Sequence, residues 1–448
     1  MLFSSDLITM STLQNDVLED NSKYESQALK SDDIVDVLIA GGGIGGLVTA
    51  LCLHRAGYSV RIYERVEEME PNGFGVTLQP YCVKLLFELG LEKDMDKIGV
   101  RTRMAAFYSR HGQLIYKDPR GMDAQFNWPL YSVHRGRFQQ LLLRYIRDEV
   151  GEKAIQLGQK LVAFRQHPSH VEVDFMNPAT NNLHTERGKV LVGADGINST
   201  VRSILYPDES RALWDGIAVW RGVTPIDNLY LDGRTIIFMG NPNDRELIIF
   251  PVDEHIINWA LAVRIEQPGI RPIPVVSDWN KLGKVEDVLS LLSDMKLDFL
   301  DTHHLISSST IVNEFLMTDR DPLPRWSHDR VTLLGDAAHP MYPNGGNGAS
   351  QAIVDARGLV LAFREYGVTP QALQKYDDLR RTSSSNFVRM AREAGPEKIL
   401  RFIDERSPSL FRDLSDVASP SELEAIVADY KSAVGWGAQR LNEESPLF

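Results

Sequence analysis

Three short turns carry the residue types in this chain that could hold a phosphorylated ligand. They are Gly-Gly-Gly-Ile-Gly-Gly at 41–46, Gly-Ala-Asp-Gly at 193–196 and Gly-Asp-Ala-Ala-His-Pro at 335–340. Each directly follows an apolar run of strand length. The carboxyl ends of parallel strands meet at one edge of a sheet, where α/β folds bind ligands. We therefore expect the three turns to converge on one ligand.

The first turn has the full dinucleotide-binding pattern. A β-forming run precedes it, an amphipathic helix follows, and a second strand ends at Glu64, 18 residues after Gly46. Gly41 makes the tight turn, Gly43 lets a pyrophosphate touch the backbone, and Gly46 lets helix and strand pack closely. Glu64 is placed to accept the adenosine ribose hydroxyls. A glycine-rich turn without a ligand is the less favoured alternative.

The later turns identify the kind of dinucleotide. Asp336, some 290 residues after the first turn, is expected to hold a sugar-alcohol chain, which FAD has and NAD lacks. Asp195 is predicted to bind the same cofactor, and Arg202 to matter less for it than Asp336. His339 is expected to brace its loop by hydrogen bonds. The other predicted cofactor-binding residues are Arg65, Gly75, Arg135, Gly348 and Ala349.

A glycine-dense segment at 343–349 opens a predicted helix. Its backbone N–H groups could stabilise negative charge on the pyrimidine edge of a reduced flavin. Gly348 and Ala349 are the residues expected at that position.

Between the second and third turns the pattern of apolar and polar residues changes. Residues 211–325 contain four alternating runs separated by Pro, Asp and Asn, which predicts an inserted antiparallel sheet. Arg221 stands on an otherwise apolar strand face, where an unpaired charge is costly. It either meets a carboxylate in a structural salt bridge or contacts the flavin or substrate in a cleft. Trp220 is expected in the core.

Composition limits the function classes. The net charge of −13 argues against nucleic-acid binding and against docking on anionic lipid. Residues 1–33 are predicted to be a disordered acidic tail without a targeting signal. Cys52 and Cys82 suit buried thiols rather than disulfides or a zinc set, and no His/Asp/Glu cluster with metal spacing is visible. A cytoplasmic protein without a metal is expected.

The predicted fold class is α/β. A Rossmann-like FAD-binding domain is expected at 34–210 and 326–365, interrupted by the substrate-binding sheet at 211–325. Helices are expected at 366–448.

The chain resembles the single-component FAD-dependent aromatic hydroxylases, the p-hydroxybenzoate and salicylate hydroxylase group, in its three turns. Within that group, stretches such as 131–137, 220–224 and 335–356 look most like the phenazine monooxygenases. The resemblance covers about residues 34–365. It departs at Phe250-Pro251, where relatives commonly have a tyrosine, and in the C-terminal helices.

The resemblance implies a reaction. NADH or NADPH would reduce noncovalent FAD, dioxygen would form a flavin hydroperoxide, and an aromatic or N-heteroaromatic small molecule would receive one hydroxyl, in secondary metabolism or aromatic catabolism. Arg221 would be the catalytic residue. The oligomeric state would be a monomer or a homodimer.

Three alternatives remain at this point. The same platform could perform a Baeyer–Villiger oxidation or an epoxidation on a non-aromatic substrate, or it could be a flavin-binding module without turnover. A flavin-dependent halogenase is disfavoured because the Trp-x-Trp-x-Ile-Pro stretch it needs is absent.

Overall fold

The computed structural model describes residues 34–71, 73–274, 281–433 and 437–448. The predicted acidic tail, residues 1–33, lies outside the described residues. The helices are α1 (Ile44–Arg55), α2 (Pro80–Glu88), α3 (Glu92–Ile98), α4 (Arg135–Tyr145), α5 (Thr200–Leu205), α6 (Val285–Ser290), α7 (Thr302–Ser307), α8 (Gly348–Tyr366), α9 (Pro370–Arg392), α10 (Lys398–Arg406), α11 (Pro420–Ala433) and α12 (Ala438–Glu443).

The first strands are β1 (Val35–Ala40), β2 (Val60–Tyr63), β3 (Gly75–Leu78), β4 (Gly99–Thr102), β5 (Met104–Tyr108), β6 (Leu114–Pro119), β7 (Leu130–His134), β8 (Ile155–Gln156), β9 (Lys160–Gln166) and β10 (Val171–Met176). They are followed by β11 (Leu183–Gly193), β12 (Leu213–Pro225), β13 (Thr235–Gly240), β14 (Arg245–Pro251), β15 (Ile256–Arg264), β16 (Arg271–Pro272), β17 (Ile311–Asp319), β18 (Ser327–His328) and β19 (Val331–Leu333).

The first sheet has the order β18-β19-β11-β1-β2-β8, with β10 paired to β11 and β9 paired to β10. Its centre is parallel: β1 pairs with β2 and β11, and β11 pairs with β19. Residues 37–40 and 190–193 are buried, as their continuous apolar sequence requires of strands covered on both faces. Helices α1 and α8 pack on this sheet and share its core. This is the predicted Rossmann-like part.

The second sheet has the order β16-β12-β15-β14-β13-β5-β6, with β17 paired to β12. One face carries Trp220, Ile237, Leu247 and Trp259 and packs under α6 and α7, so Trp220 lies in a core as expected. A small third sheet, β3-β7-β4, joins the other two.

The second sheet is not confined to the predicted insertion. Its strands β5 and β6 come from residues 104–119, which the sequence assigned to the FAD-binding domain. Strand β5 pairs with β13 in parallel, with Ala106 opposite Ile237. The pairing joins segments about 130 residues apart, and no local pattern signals such a contact.

The C-terminal region is helical, as predicted, although its boundaries differ. The two helices expected at 373–379 and 384–394 are one helix, α9. The helix expected over 421–441 is described as α11 and α12. Among the described residues, no helix has both the length and the apolar character needed to cross a bilayer.

Candidate functional site

The three turns meet at one edge of the first sheet. Ala40 at the end of β1 lies opposite Tyr63 of β2 and Gly193 of β11, and Gly193 lies opposite Leu333 of β19. We call the turns at this edge, residues 41–46, 193–196 and 335–339, the motif edge. Their convergence is the arrangement that their spacing after strands predicts.

Two glycines of the first turn are required by close backbone contacts. A Cβ on Gly41, whose φ is +110°, would lie 2.3 Å from the Ala194 carbonyl oxygen. A Cβ on Gly46 would lie 2.1 Å from the Gly41 oxygen. A Cβ on Gly43 would meet nothing within 4 Å. Helix α1 starts there without a side-chain cap, so its backbone N–H groups face open space that suits a pyrophosphate.

Glu64 is held against the first turn. Its Oε2 accepts the Gly42 N–H at 2.7 Å, and its Oε1 accepts the Val66 N–H at 3.1 Å. The carboxylate is therefore fixed at the end of β2, where a ribose could reach its remaining lone pairs. Arg65 is exposed beside it.

Asp195 stabilises its own turn. Its Oδ1 accepts the Ser199 hydroxyl, and its Oδ2 accepts the N–H groups of Thr200 at 2.7 Å and Val201 at 3.2 Å. Burial raises the pKa of Asp195, and these hydrogen bonds oppose that shift. The side chain thus caps α5, and its predicted contact with the cofactor stays a prediction.

Of the two aspartates at the motif edge, Asp336 is the one whose carboxylate oxygens remain available to a ligand. Its side chain is exposed, and within the described residues it has no hydrogen bond or ion pair. The turn below it is fixed by buried Asp355, whose Oδ2 accepts the Gly335 N–H at 3.0 Å and lies 2.7 Å from His339 Nε2. Arg380 donates to Asp355 Oδ1 at 2.8 Å. The structure thus places His339 in the bracing position expected of it.

Arg202 also supports this turn, which the sequence did not indicate. It is 1% exposed and donates to the carbonyl oxygens of Ala337 and Ala338, both at 3.1 Å. It also pairs with Glu209. Arg202 is therefore a structural neighbour of Asp336, and the expectation that it matters less than Asp336 for FAD binding stays a prediction.

Arg135 connects the motif edge with the second sheet. It begins α4 and is exposed. Although the Asp336 side chain is exposed, the protein around it limits its hydration and raises its pKa, while His339 and Arg135 act against that shift. Arg135 also lowers the pKa of Arg221, so it lies near both side chains.

The glycine-dense segment before α8 is anchored from two sides. Gly345 and Gly346 have φ values of +75° and +64°. Gln79 Nε2 donates to their carbonyl oxygens at 3.1 and 3.3 Å. Glu397 Oε1 accepts the Gly345 N–H at 3.0 Å. We call residues 343–347 the glycine loop. Gly348 and Ala349 follow it as the first residues of α8, which has no side-chain cap.

One row of side chains crosses the second sheet on the face opposite α6 and α7. The register aligns Arg221 with Ala260, Ala260 with Ile248, and Ile248 with Phe238. We call this the inner face. All four are only partly buried although their strands are central, and Met341 and Tyr342 pack with Ala260. This part of the inner face therefore lies next to the segment that follows Asp336.

Arg221 has no carboxylate partner among the described residues. Its Nη2 donates to the Gly75 carbonyl oxygen at 2.8 Å, and its guanidinium lies 5.0 Å from the centre of the Phe74 ring. Desolvation, and then the charge of Arg135, lower the pKa of Arg221 to about 10, so it stays positive near pH 7. Of the two alternatives that the sequence left open, the structural salt bridge is not found there.

Gly75 joins β3 to the second sheet. Its N–H donates to Asn258 Oδ1 at 2.7 Å, and a Cβ on it would lie 2.4 Å from the Phe250 ring. Phe250 carries no hydroxyl group, so this position offers no phenol. The close packing of Gly75 against Phe250 and Asn258 therefore positions its carbonyl oxygen for the hydrogen bond from Arg221.

The described residues contain a group with metal-ligand spacing that the sequence did not reveal: His167, His170 and Glu172, at the turn between β9 and β10. Glu172 pairs with Arg187 at 2.9 Å and Arg165 at 3.4 Å. These guanidinium groups compete directly with a cation. The group lies outside the motif edge and the inner face, and we assign it no role.

The sequence missed the residues that support the site from a distance, namely Gln79, Glu246, Asp355, Arg380, Glu397 and Tyr430. None lies in a recognisable motif. Their only local signal is a charged or polar residue within an apolar stretch.

Comparison with known proteins places the chain among flavoproteins. The family model described as FAD binding domain matches residues 34–391. The phenazine 1,6-dicarboxylic acid hydroxylase PhzS of Lysobacter antibioticus is 36% identical over 409 residues, which are 89% of this chain and 97% of that protein. The 6-hydroxynicotinate 3-monooxygenase of Bordetella bronchiseptica is 28% identical over 370 residues, 80% of this chain and 90% of that protein. A solved salicylate hydroxylase substrate complex shares the fold, with a TM-score of 0.69 at 21% identity, covering 93% of this chain and all (100%) of that one.

Proposed function

The chain belongs to the FAD binding domain family and is an FAD-dependent aromatic monooxygenase, and on this premise we propose that it hydroxylates an aromatic or N-heteroaromatic carboxylic acid whose carboxylate is held by Arg221. The observation that carries the proposal is the position of Arg221. It is a positive side chain without a carboxylate partner among the described residues, in a row with the partly buried apolar residues Ala260, Ile248 and Phe238.

The residues of the motif edge fit FAD. The open side of Gly43 and the uncapped start of α1 suit the pyrophosphate, and Glu64 suits the adenosine ribose. The exposed Asp336 suits a ribityl hydroxyl, because its oxygens make no hydrogen bond to the described protein. The start of α8 at Gly348 and Ala349 would then face the ring system. When bound, FAD takes electrons from NADH or NADPH and activates dioxygen for transfer of one oxygen atom to the substrate ring.

The residues of the inner face would orient the ring and exclude water. Ala260 leaves room for a planar ring, and Ile248 and Phe238 offer apolar contacts beside it. Arg221 would hold an anionic group at one end of the ring and add positive charge near the reduced cofactor. The two relatives above act, by their names, on a phenazine dicarboxylic acid and on a hydroxynicotinate, which supports an acid here.

Two further properties are proposed with this function. Cys52 and Cys82 are buried free thiols, which supports a cytoplasmic location. A monomer or a homodimer is proposed as the assembly state, and a role in secondary metabolism or aromatic catabolism follows from the substrate class.

The test is a screen of aromatic and N-heteroaromatic acids for stimulated NADH and NADPH oxidation, with mass spectrometry of the products. We expect some acids to stimulate oxidation and to gain one oxygen atom on a ring carbon. Ring expansion to a lactone, or an epoxide, would instead support the alternatives of a Baeyer–Villiger or epoxidising enzyme. Amides and esters of the active acids should be poor substrates if Arg221 binds the carboxylate.

A further inference from the structure

A buried carboxyl group holds the glycine loop from below. Glu397 ends the short turn Gly395–Glu397 before α10 and is 1% exposed. Its Oε1 accepts the Gly345 N–H at 3.0 Å. Its other oxygen, Oε2, is buried and has no hydrogen-bond partner within the described residues. Glu397 therefore connects the C-terminal helices to the segment that opens α8.

A second buried carboxyl group lies close to Glu397. Glu246 on β14 is 2% exposed and stands on the inner face, with Ala262 and Gly240 opposite it on the neighbouring strands. Its Oε1 has no hydrogen-bond partner in the part of the chain that the structure describes. Burial, and then the charge of Glu397, raise the pKa of Glu246 well above its usual range.

The surroundings of the pair provide little compensating charge. Arg120 is the cation that acts on Glu397, but it also pairs with buried Asp118 at 2.9 Å, and Lys431 pairs with Asp118 at 2.6 Å. Tyr430 lies nearby, and its hydroxyl accepts Asn347 Nδ2 of the glycine loop at 2.8 Å. Burial raises the pKa of Glu397 to about 7, while the Gly345 N–H and Arg120 act against that shift.

We propose that Glu397 is a positioning residue for the cofactor: its buried carboxyl group holds the glycine loop through the Gly345 N–H. The inference rests on the proposed placement of FAD against the start of α8. An ionised Glu397 accepts the Gly345 N–H in a charge-assisted hydrogen bond, which is stronger than the bond to a neutral carboxyl. The glycine loop is then held more firmly above pH 7 than below it.

The experiment measures FAD binding to the apoprotein at pH 6 and pH 8, by quenching of flavin fluorescence. For the wild-type protein we expect the Kd to be roughly fivefold lower at pH 8 than at pH 6. Glu397→Gln keeps an acceptor oxygen but cannot ionise, so it should bind FAD with the pH 6 affinity of the wild type at both pH values. Glu397→Leu removes the acceptor and should weaken binding about tenfold at both pH values.

A second measurement does not involve FAD. Hydrogen–deuterium exchange of peptides covering 341–350 in the apoprotein should be faster in Glu397→Leu than in the wild type, because the Gly345 N–H loses its acceptor. Glu397→Gln should leave exchange near the wild-type value at pH 6. Both measurements are made without substrate or turnover, so they stand whether or not an aromatic acid is hydroxylated.

The matched control is Asp404→Asn on α10. Asp404 pairs with Arg110 and accepts Asn241 Nδ2, so the variant loosens α10 from the second sheet without touching the glycine loop. It should lower the Tm and keep the wild-type pH dependence of the FAD Kd. A flat pH dependence in this control, or a wild-type pH dependence in Glu397→Gln, would overturn the proposal. So would wild-type FAD affinity and exchange in Glu397→Leu.

Discussion

At the motif edge, the site is made of backbone and of short side chains that follow one another along the chain. Gly41, Gly43 and Gly46 lie within six residues, and a Cβ is excluded at two of them by neighbouring carbonyl oxygens. On the inner face, Arg221, Ala260, Ile248 and Phe238 come from four strands and meet only through sheet register. The first region is therefore sensitive to an atom added at Gly41 or Gly46, whereas the second can change side chains and keep its fold. If the inner face binds the substrate as we propose, substrate preference can vary there while the motif edge stays constant.

The largest effect is expected inside the first turn. In Gly46→Ala the new Cβ would lie 2.1 Å from the Gly41 oxygen, so strand and helix must separate. We expect a loss of about 3 kcal/mol or more in unfolding free energy and almost no bound FAD. The measurements are thermal unfolding of the apoprotein and flavin absorbance per polypeptide.

The control is Gly43→Ala, where the added methyl group meets nothing within 4 Å. It should leave the Tm of the apoprotein unchanged and still weaken FAD, because the methyl group occupies the approach of the phosphates. If Gly43→Ala and Gly46→Ala have the same Tm, the prediction that only Gly46 is required by the fold is wrong.

A smaller effect is expected at Asp336. Asp336→Ala should weaken FAD binding about ten- to a hundredfold, since a charge-assisted hydrogen bond contributes roughly 1.5–3 kcal/mol. The Tm of the apoprotein should stay close to the wild-type value, because the carboxylate has no partner in the described chain. Arg202→Ala should instead lower the Tm of the apoprotein, because it removes the hydrogen bonds to the carbonyl oxygens of Ala337 and Ala338. Retention of full FAD affinity in Asp336→Ala would refute the assignment.

On the inner face, Arg221→Met should leave fold and FAD content nearly intact and reduce coupled turnover about tenfold, with more hydrogen peroxide released. Arg245→Met is the matched control, because Arg245 lies on the same sheet but pairs with Asp294 at 3.0 Å. The control should lose stability and keep its coupling ratio. An insoluble Arg221→Met protein would favour a structural role, and normal coupling in a stable one would leave Arg221 with no role in the reaction.

The smallest effect is a pH dependence of stability. The pKa of Glu397 is raised to about 7 in the folded protein, from about 4.3 in an unfolded chain. Its contribution to stability is therefore complete below about pH 4.3 and is lost as pH rises through 7. Between pH 5 and pH 8 the unfolding free energy of the apoprotein should fall by on the order of 2 kcal/mol, which corresponds to a few degrees in Tm. Glu397→Gln should not show this fall. Parallel Tm curves for the two proteins would contradict this.

The sequence predicted the motif edge well because each of its parts is local. A strand, a glycine and a carboxylate stand next to one another in the chain, and Glu64 follows at a fixed distance. Strand β13 was predicted with the boundaries it has, Thr235–Gly240, because its apolar run stands between clear turns. The identification of an FAD-dependent aromatic hydroxylase rested on these parts and is confirmed.

What the sequence could not supply depends on distant partners. The carboxyl groups of Glu246 and Glu397 come together from positions about 150 residues apart, and Arg202 reaches the Asp336 turn from helix α5. The break expected between the two helices of 373–394 does not occur, since Arg380 in its middle is bound to buried Asp355 instead of ending the helix. Whether a polar residue within a helix is exposed or paired is decided by the tertiary structure.

The parallel pairing of β5 with β13 also has a consequence for how the chain is made. At about 5–20 residues per second, the ribosome completes β5 and β6 on the order of ten seconds before residue 240 is added. During that interval the hairpin has no partner for its free edge, which includes the buried residues Ala105 and Phe107. Grafting residues 211–325 alone into a relative would pair β13 with a strand of a different sequence. An exchange of substrate specificity between relatives therefore has to carry residues 104–119 together with the insertion.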